Sequence, residues 1–380
     1  MTWKRLSNRE NGREISMKSD KASPYAGSMP RSSDELKQWH ALRTTEPVLE
    51  PALPIIDAHH HVFGTESDRQ HYRITDLEQD LSGGHAVVAT VYIEAYGTGW
   101  RASGPEHLRP VGETERIVES LAQLGPLCRQ RCDVAAGIVA HADLTCGGGV
   151  REVLEAHMHA GQGRLRGVRH IAARDDGLVG RFIKELPRKG LMGEPAFRAG
   201  FSQLAELGLS YDAWLYHHQL DELIELADQF PNTQIVLDHL GGLIGVGEFG
   251  MRRSETLFEW KSKLTQLARR PNVVVKIGGM SMPVFGFGFE HENEPAGSLR
   301  LAQAWMPLFE VCIHAFGSRR CMFESNFPVD RQACGYIELW NAFKIMTASM
   351  TSDERHDLFC GTAARTYKLD IPPKPDGQTK

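Results

Sequence analysis

The chain has 380 residues, 41% of them hydrophobic and 24% charged, with a formal net charge of −5. That composition excludes a disordered or fibrous chain, and its mildly acidic balance argues against nucleic acid or an anionic membrane as the main partner. The seven cysteines are scattered, odd in number and without a CxxC pair, which points to reduced thiols and a cytoplasmic location rather than a disulfide framework.

Residues 1–33 are polar, rich in Ser, Lys and Arg, and show no hydrophobic period. They are expected to form a flexible N-terminal extension, with residues 34–380 making one domain. The opening stretch MTWKRLSNRENG has no signal-peptide core, and no apolar run is long enough to span a membrane.

From Pro54 onward, short β-rich runs alternate with helical patterns. Strands are expected at 55–61, 86–95, 134–141, 165–171, 209–216, 234–239, 272–278 and 320–326. Between the fifth and sixth, Leu220, Leu223, Ile224, Ala227 and Phe230 recur at helical spacing, and Pro231 stops the helix. The basic stretch from Arg252 to Arg270 carries Leu257, Trp260, Leu264 and Leu267 at helical spacing, which makes it an amphipathic surface helix. Eight such units predict an α/β fold, a (β/α)8 TIM barrel, in which reactive groups sit at the C-terminal ends of the strands. A doubly wound open sheet is the structural alternative, but no GxGxxG turn follows the first strand. Long loops rich in Gly and aromatics after strands two, six and seven would form the substrate mouth.

Strand side chains alternate, so parity sorts the lumen candidates. Strand one offers Asp57, His59 and His61 on one face, and strand two Tyr92 and Glu94. His141, Arg169, Lys276 and His239 come from strands three, four, seven and six, and Glu324 and Asn326 share a face of strand eight. Strand five is ambiguous between faces carrying Asp212 or Tyr211. So many ionisable groups at one barrel end would be costly as packing alone. Two imidazoles on one strand can grip a divalent metal or hydrogen-bond a carbonyl oxygen. His60, His157, His159, His217, His218 and His314 read as ordinary structural or surface histidines.

The stretches PIIDAHHHVF, GVRHIA, FPNTQIVLDHLGG, VVVKIGG and the tail from FESNFPVD to TYKL occur in this order. In order and spacing the chain resembles the amidohydrolase-2 family of barrel hydrolases, in the branch of sugar-lactone and 2-pyrone-4,6-dicarboxylate lactonases. The resemblance implies that His59, His61 and His239 face the reaction centre, where they bind Zn or polarise an ester carbonyl directly. It also implies that Arg169 meets an anionic substrate group. Two departures stand out: no histidine lies inside strand five, and Asn326 occupies the position of the family's strand-eight aspartate. An amide is a weak neutral ligand and no base, so a bound Zn is expected to be weak or absent, with Glu324 as the substitute base and Glu94, then Asp330, in reserve.

The expected function is hydrolysis of a small carboxylated or sugar-derived lactone, with His59, His61, His239, Glu324 and Asn326 in catalytic roles. Arg169, Glu94, Tyr92, His141 and Lys276 would line the substrate. A decarboxylase or hydratase of an unsaturated or aromatic acid is the second enzyme reading, and a non-catalytic ligand-binding barrel the third. The expected partner is an anionic small molecule, and the apolar loops are compatible with a homodimer.

Overall fold

A computed structural model describes residues 25–95 and 97–370. Its eight strands are β1 (Pro54–His60), β2 (Ala86–Ile93), β3 (Asp133–His141), β4 (Leu165–Arg169), β5 (Ser210–Ala213), β6 (Ile235–Leu237), β7 (Val273–Ile277) and β8 (Cys321–Phe323). They form one parallel sheet in sequential order, β1 through β8. The sheet curls into a nearly closed barrel. Its seam is stitched where Asn326 N–H donates to His59 O (2.9 Å) and His61 N–H to Phe327 O (2.8 Å).

Each strand is followed by helix because the sequence supplies an apolar stripe that must be buried against the sheet. Helix Leu220–Gln229 buries Leu220, Leu223, Leu226 and Ala227, and Phe230 caps it just before Pro231. Helix Arg253–Leu267 buries Trp260, Leu264 and Leu267. Its basic side reaches out to a neighbour, with Lys263 on Asp221 (2.6 Å). No helix of the described residues is long and apolar enough to cross a membrane.

The lower lumen is filled by Ile56, Ala58, Val91, Val236, Val274 and Met322. The last helix, Thr362–Tyr367, packs Tyr367 into the same cluster, with Leu369 behind it. Burying each such Val or Ile contributes on the order of 1.5–3 kcal/mol, so this layer stabilises the barrel beneath whatever the upper layer holds.

Of the segment expected to be a free extension, positions 1–24 lie outside the described residues. Residues 25–33 are packed on the barrel. Tyr25 is buried edge-on against Phe182, and Arg31 N–H donates to Gln332 Oε1 (3.1 Å). Further along, Trp39 Nε1 donates to Glu292 O (3.0 Å). The segment therefore straps the loops that follow β4, β7 and β8.

Candidate active site

At the C-terminal end of β1 the alternation breaks: the register with β2 shifts between Asp57 and His60. Asp57 turns to accept from Ser325 N–H (2.8 Å) and the Tyr336 hydroxyl (3.0 Å), whereas His59 and His61 enter the upper lumen. Their Nε2 atoms stand 3.1 Å apart. His61 Nδ1 donates to Ile93 O (2.9 Å). His59 Nδ1 lies 2.9 Å from Glu324 Oε2 and 3.6 Å from Asp238 Oδ1. His61, with its proton on Nδ1, aims its Nε2 lone pair at His59 Nε2, whereas His59 Nδ1 lies between the two carboxylates and the Lys276 ammonium (3.3 Å).

His239 completes the group. Its Nδ1 donates to Glu324 Oε1 (2.7 Å), and its ring lies 4.6 Å from that of His59 and 4.8 Å from Trp214. The backbone makes room for this at the Gly278–Gly279 pair just after β7. A Cβ on Gly279 would lie 2.5 Å from His239 Nδ1, and its φ of +64° is itself a glycine conformation.

Below the histidines, charges alternate across the lumen. Arg169 Nε donates to Glu94 Oε1 (2.6 Å), and its NH1 lies 3.4 Å from Asp238 Oδ2. Lys276 sits between Asp238 (3.0 Å) and Asp212 (2.7 Å), and the Tyr367 hydroxyl donates to Asp212 (2.6 Å). All six charged groups, Glu94, Asp212, Asp238, Glu324, Arg169 and Lys276, are 4% exposed or less. Four acids face two cations, a formal surplus of two negative charges out of water.

Burial would raise the Glu324 carboxyl, but the His239 and His59 rings outweigh it and bring it down to about 2. Asp238 is likewise held well below its ordinary value against burial, by Lys276 and then His59. Burial, followed by Lys276, lowers His59. Burial, followed by His59 and Arg169, lowers His61. Neutral imidazoles, convergent Nε2 atoms and surplus anionic charge together fit a divalent cation. One donor set, His59, His239 and Glu324, has its ligating atoms within 4.8 Å of one another.

The expected residues divide. His59, His61, His239, Glu324, Arg169, Glu94 and Lys276 come together. Asn326 does not point at the histidines: its backbone has φ +53° and its amide donates to Asp330 (2.8 Å). The anionic charge missing at that position is supplied by Glu324 and Asp238. Burial is opposed at Glu324 by the rings it faces, so the raised pKa expected of a substitute base does not develop. Tyr92 faces outward, donating to Glu113 on helix Val111–Ser120 (2.7 Å), because its neighbours Val91 and Ile93 take the lumen. His141 ends β3 beside Arg169 but stacks on Trp100, 5.3 Å away, in a neighbouring cavity.

Two groups escaped the sequence pattern. Asp238 follows the apolar run IVL directly, and that placement was its only signal. Glu113 looks like an ordinary helix carboxylate, yet burial and then Glu94 push it up to about 8.

The pattern of the Amidohydrolase family matches residues 56–369. An uncharacterized protein, y4mH, of Sinorhizobium fredii is 30% identical over 83% of this chain and 99% of its own length. An L-fucono-1,5-lactonase of Burkholderia multivorans is 26% identical over 83% of this chain and 97% of its own. Among solved structures, an amidohydrolase from Burkholderia multivorans with bound zinc superposes with a TM-score of 0.63, at 22% identity, covering 83% of this chain and 99% of that one.

Proposed function

The chain belongs to the amidohydrolase family and is a hydrolase, and from that premise we propose that it opens a small lactone by attack of water on the ring ester. The observation that carries the proposal is the 3.1 Å approach of the His59 and His61 Nε2 atoms, with His61 Nδ1 on Ile93 O and His59 Nδ1 between Glu324 (2.9 Å) and Lys276 (3.3 Å). His61 in that tautomer has no N–H to offer a carbonyl oxygen, and two Nε2 atoms converging beside a buried carboxylate favour holding a metal over polarising the ester themselves. A divalent metal would be held by His59 and His61, with His239 and Glu324 beside them. When bound it supplies Lewis-acid polarisation of the ester carbonyl.

The remaining steps belong to the chain. Glu324 fixes His239 with its proton on Nδ1, leaving the Nε2 lone pair to accept a proton from the attacking water. As water oxygen bonds to the carbonyl carbon and the ring C–O bond breaks, His239 returns the proton to the departing alkoxide. The product hydroxy acid ionises and releases one proton. Arg169 would meet a substrate carboxylate through NH1, whose contacts at 3.4 and 3.5 Å are its longest. Lys276 and Asp238 would hold His59 from below.

The similarity to an L-fucono-1,5-lactonase supports a lactone as substrate. A panel of lactones in weak buffer with a pH indicator tests it, and one acid equivalent per turnover is expected. Chelator dialysis followed by elemental analysis should remove about one divalent metal per chain together with activity, both restored by Zn. Undiminished turnover by metal-free protein would rule out the metal part, and no acid release from any lactone would rule out the reaction.

A further inference from the structure

Over the ends of β3 and β4 lies a cavity of about 790 Å³, a volume typical of small-molecule sites. None of the charged groups of the centre lines it. Its inner wall is Trp100 stacked on His141 (5.3 Å), followed by His170 (5.8 Å from His141). Burial lowers both imidazoles to about 4, aided at His170 by His141. This wall is therefore uncharged at neutral pH.

The sides are apolar, with Ile171, Ile183, Leu186 and Leu191 among them. The charged residues that line it, Glu106, Asp143, Lys184, Glu185 and Arg188, are all solvent-exposed and so stand at its rim; Asp143 accepts from Thr145 N–H (2.9 Å) and Oγ1 (2.6 Å), and Arg188 pairs with Glu194 (2.9 Å). The cavity also begins where the centre ends. His141 is the strand partner of Arg169, whose NH1 lies 3.5 Å from His59 Nε2.

We propose that this cavity receives an apolar ring, aryl or cycloalkyl, carried by the substrate beside its lactone. The proposal rests on the lactone-hydrolase reading and narrows it. Sugar hydroxyls entering between Ile171, Ile183, Leu186 and Leu191 would lose water without gaining partners, whereas a flat apolar ring gains the Trp100 and His141 faces.

γ-Phenyl-γ-butyrolactone and γ-butyrolactone separate these cases in one assay. The phenyl lactone is expected to have a kcat/KM roughly tenfold or more above the unsubstituted ring, as apolar pocket contacts usually give. Ile183→Asp should remove most of that preference. A second probe, 2-phenyltetrahydrofuran, has no ester and reports the cavity independently. It should bind the wild-type protein by calorimetry and bind Ile183→Asp at least severalfold more weakly. Hydrolysis of both lactones without preference, or no binding of the phenyl ether, overturns the cavity assignment and leaves the lactonase reading standing. Ether binding that depends on Ile183, with neither lactone hydrolysed, keeps the cavity and removes the reaction.

Discussion

The lower and upper halves of the same lumen are built from opposite materials. Below, Ile56, Val91, Val236, Val274 and Met322 fill the barrel with side chains that need nothing but contact. Above, six charged side chains and three histidines are equally dry, and every one needs a partner. Burying charge is a poor route to stability, because desolvation offsets most of the Coulombic gain. The lower layer needs only contact to add to stability, so the upper layer has to be explained by chemistry. Variants in the two layers should accordingly fail in different ways.

The largest expected effect is in the upper layer. Glu324→Gln keeps the shape but no longer enforces Nδ1–H on His239, and kcat should fall about a thousandfold or more. Its melting temperature should change far less than its rate. Lys276→Met, by contrast, strands Asp212 without its cation and leaves Asp238 only the longer contact with Arg169, and should cost about 3–5 kcal/mol of stability, measured by denaturant unfolding. Val236→Ala tests the lower layer: about 1–3 kcal/mol of stability lost, with activity per folded molecule intact. Asn326→Ala should be the mildest. It loses the hydrogen bond to Asp330 and a residue type tolerant of φ +53°, about 1 kcal/mol in all, with kcat much less affected than by Glu324→Gln.

Acid should sharpen the contrast further. Burial, the leading cause in each case, brings His40, His85, His141, His157, His170 and His217 down to about 4, and His60 to about 3. Unfolded imidazoles take up protons near 6.5. Between pH 6.5 and about 4 the unfolded chain therefore binds more protons, and stability falls as pH drops through that window. Glu324, depressed to about 2, adds its own loss only below its unfolded value near 4.5. Unfolding free energy measured from pH 8 to pH 4 should decline steeply, and a flat profile would count against the buried neutral histidines.

All eight strands stand where the apolar runs place them, because a barrel strand buried on both faces reads as a continuous hydrophobic segment. The expected ends overran at β6 and β8, where His239 (φ +51°) and Asn326 (φ +53°) leave strand geometry to present their groups. Parity failed at Asp57 because a register shift follows it, a feature with no sequence mark. It failed at Tyr92 because an aromatic residue on a strand suits either face. Asp238 and Glu113 were illegible for a shared reason: their burial depends on what other strands and helices bring, and an acid at a strand end or in a helix is ordinarily solvated.

In the proposed reaction Glu324 works through His239 in the upper layer. A double-mutant cycle on kcat with His239→Ala, Glu324→Gln and the combined variant tests it most directly. If the two act as one unit, the double variant should be no slower than His239→Ala alone. Losses that multiply, giving a double variant slower by the product of the two single effects, would contradict it.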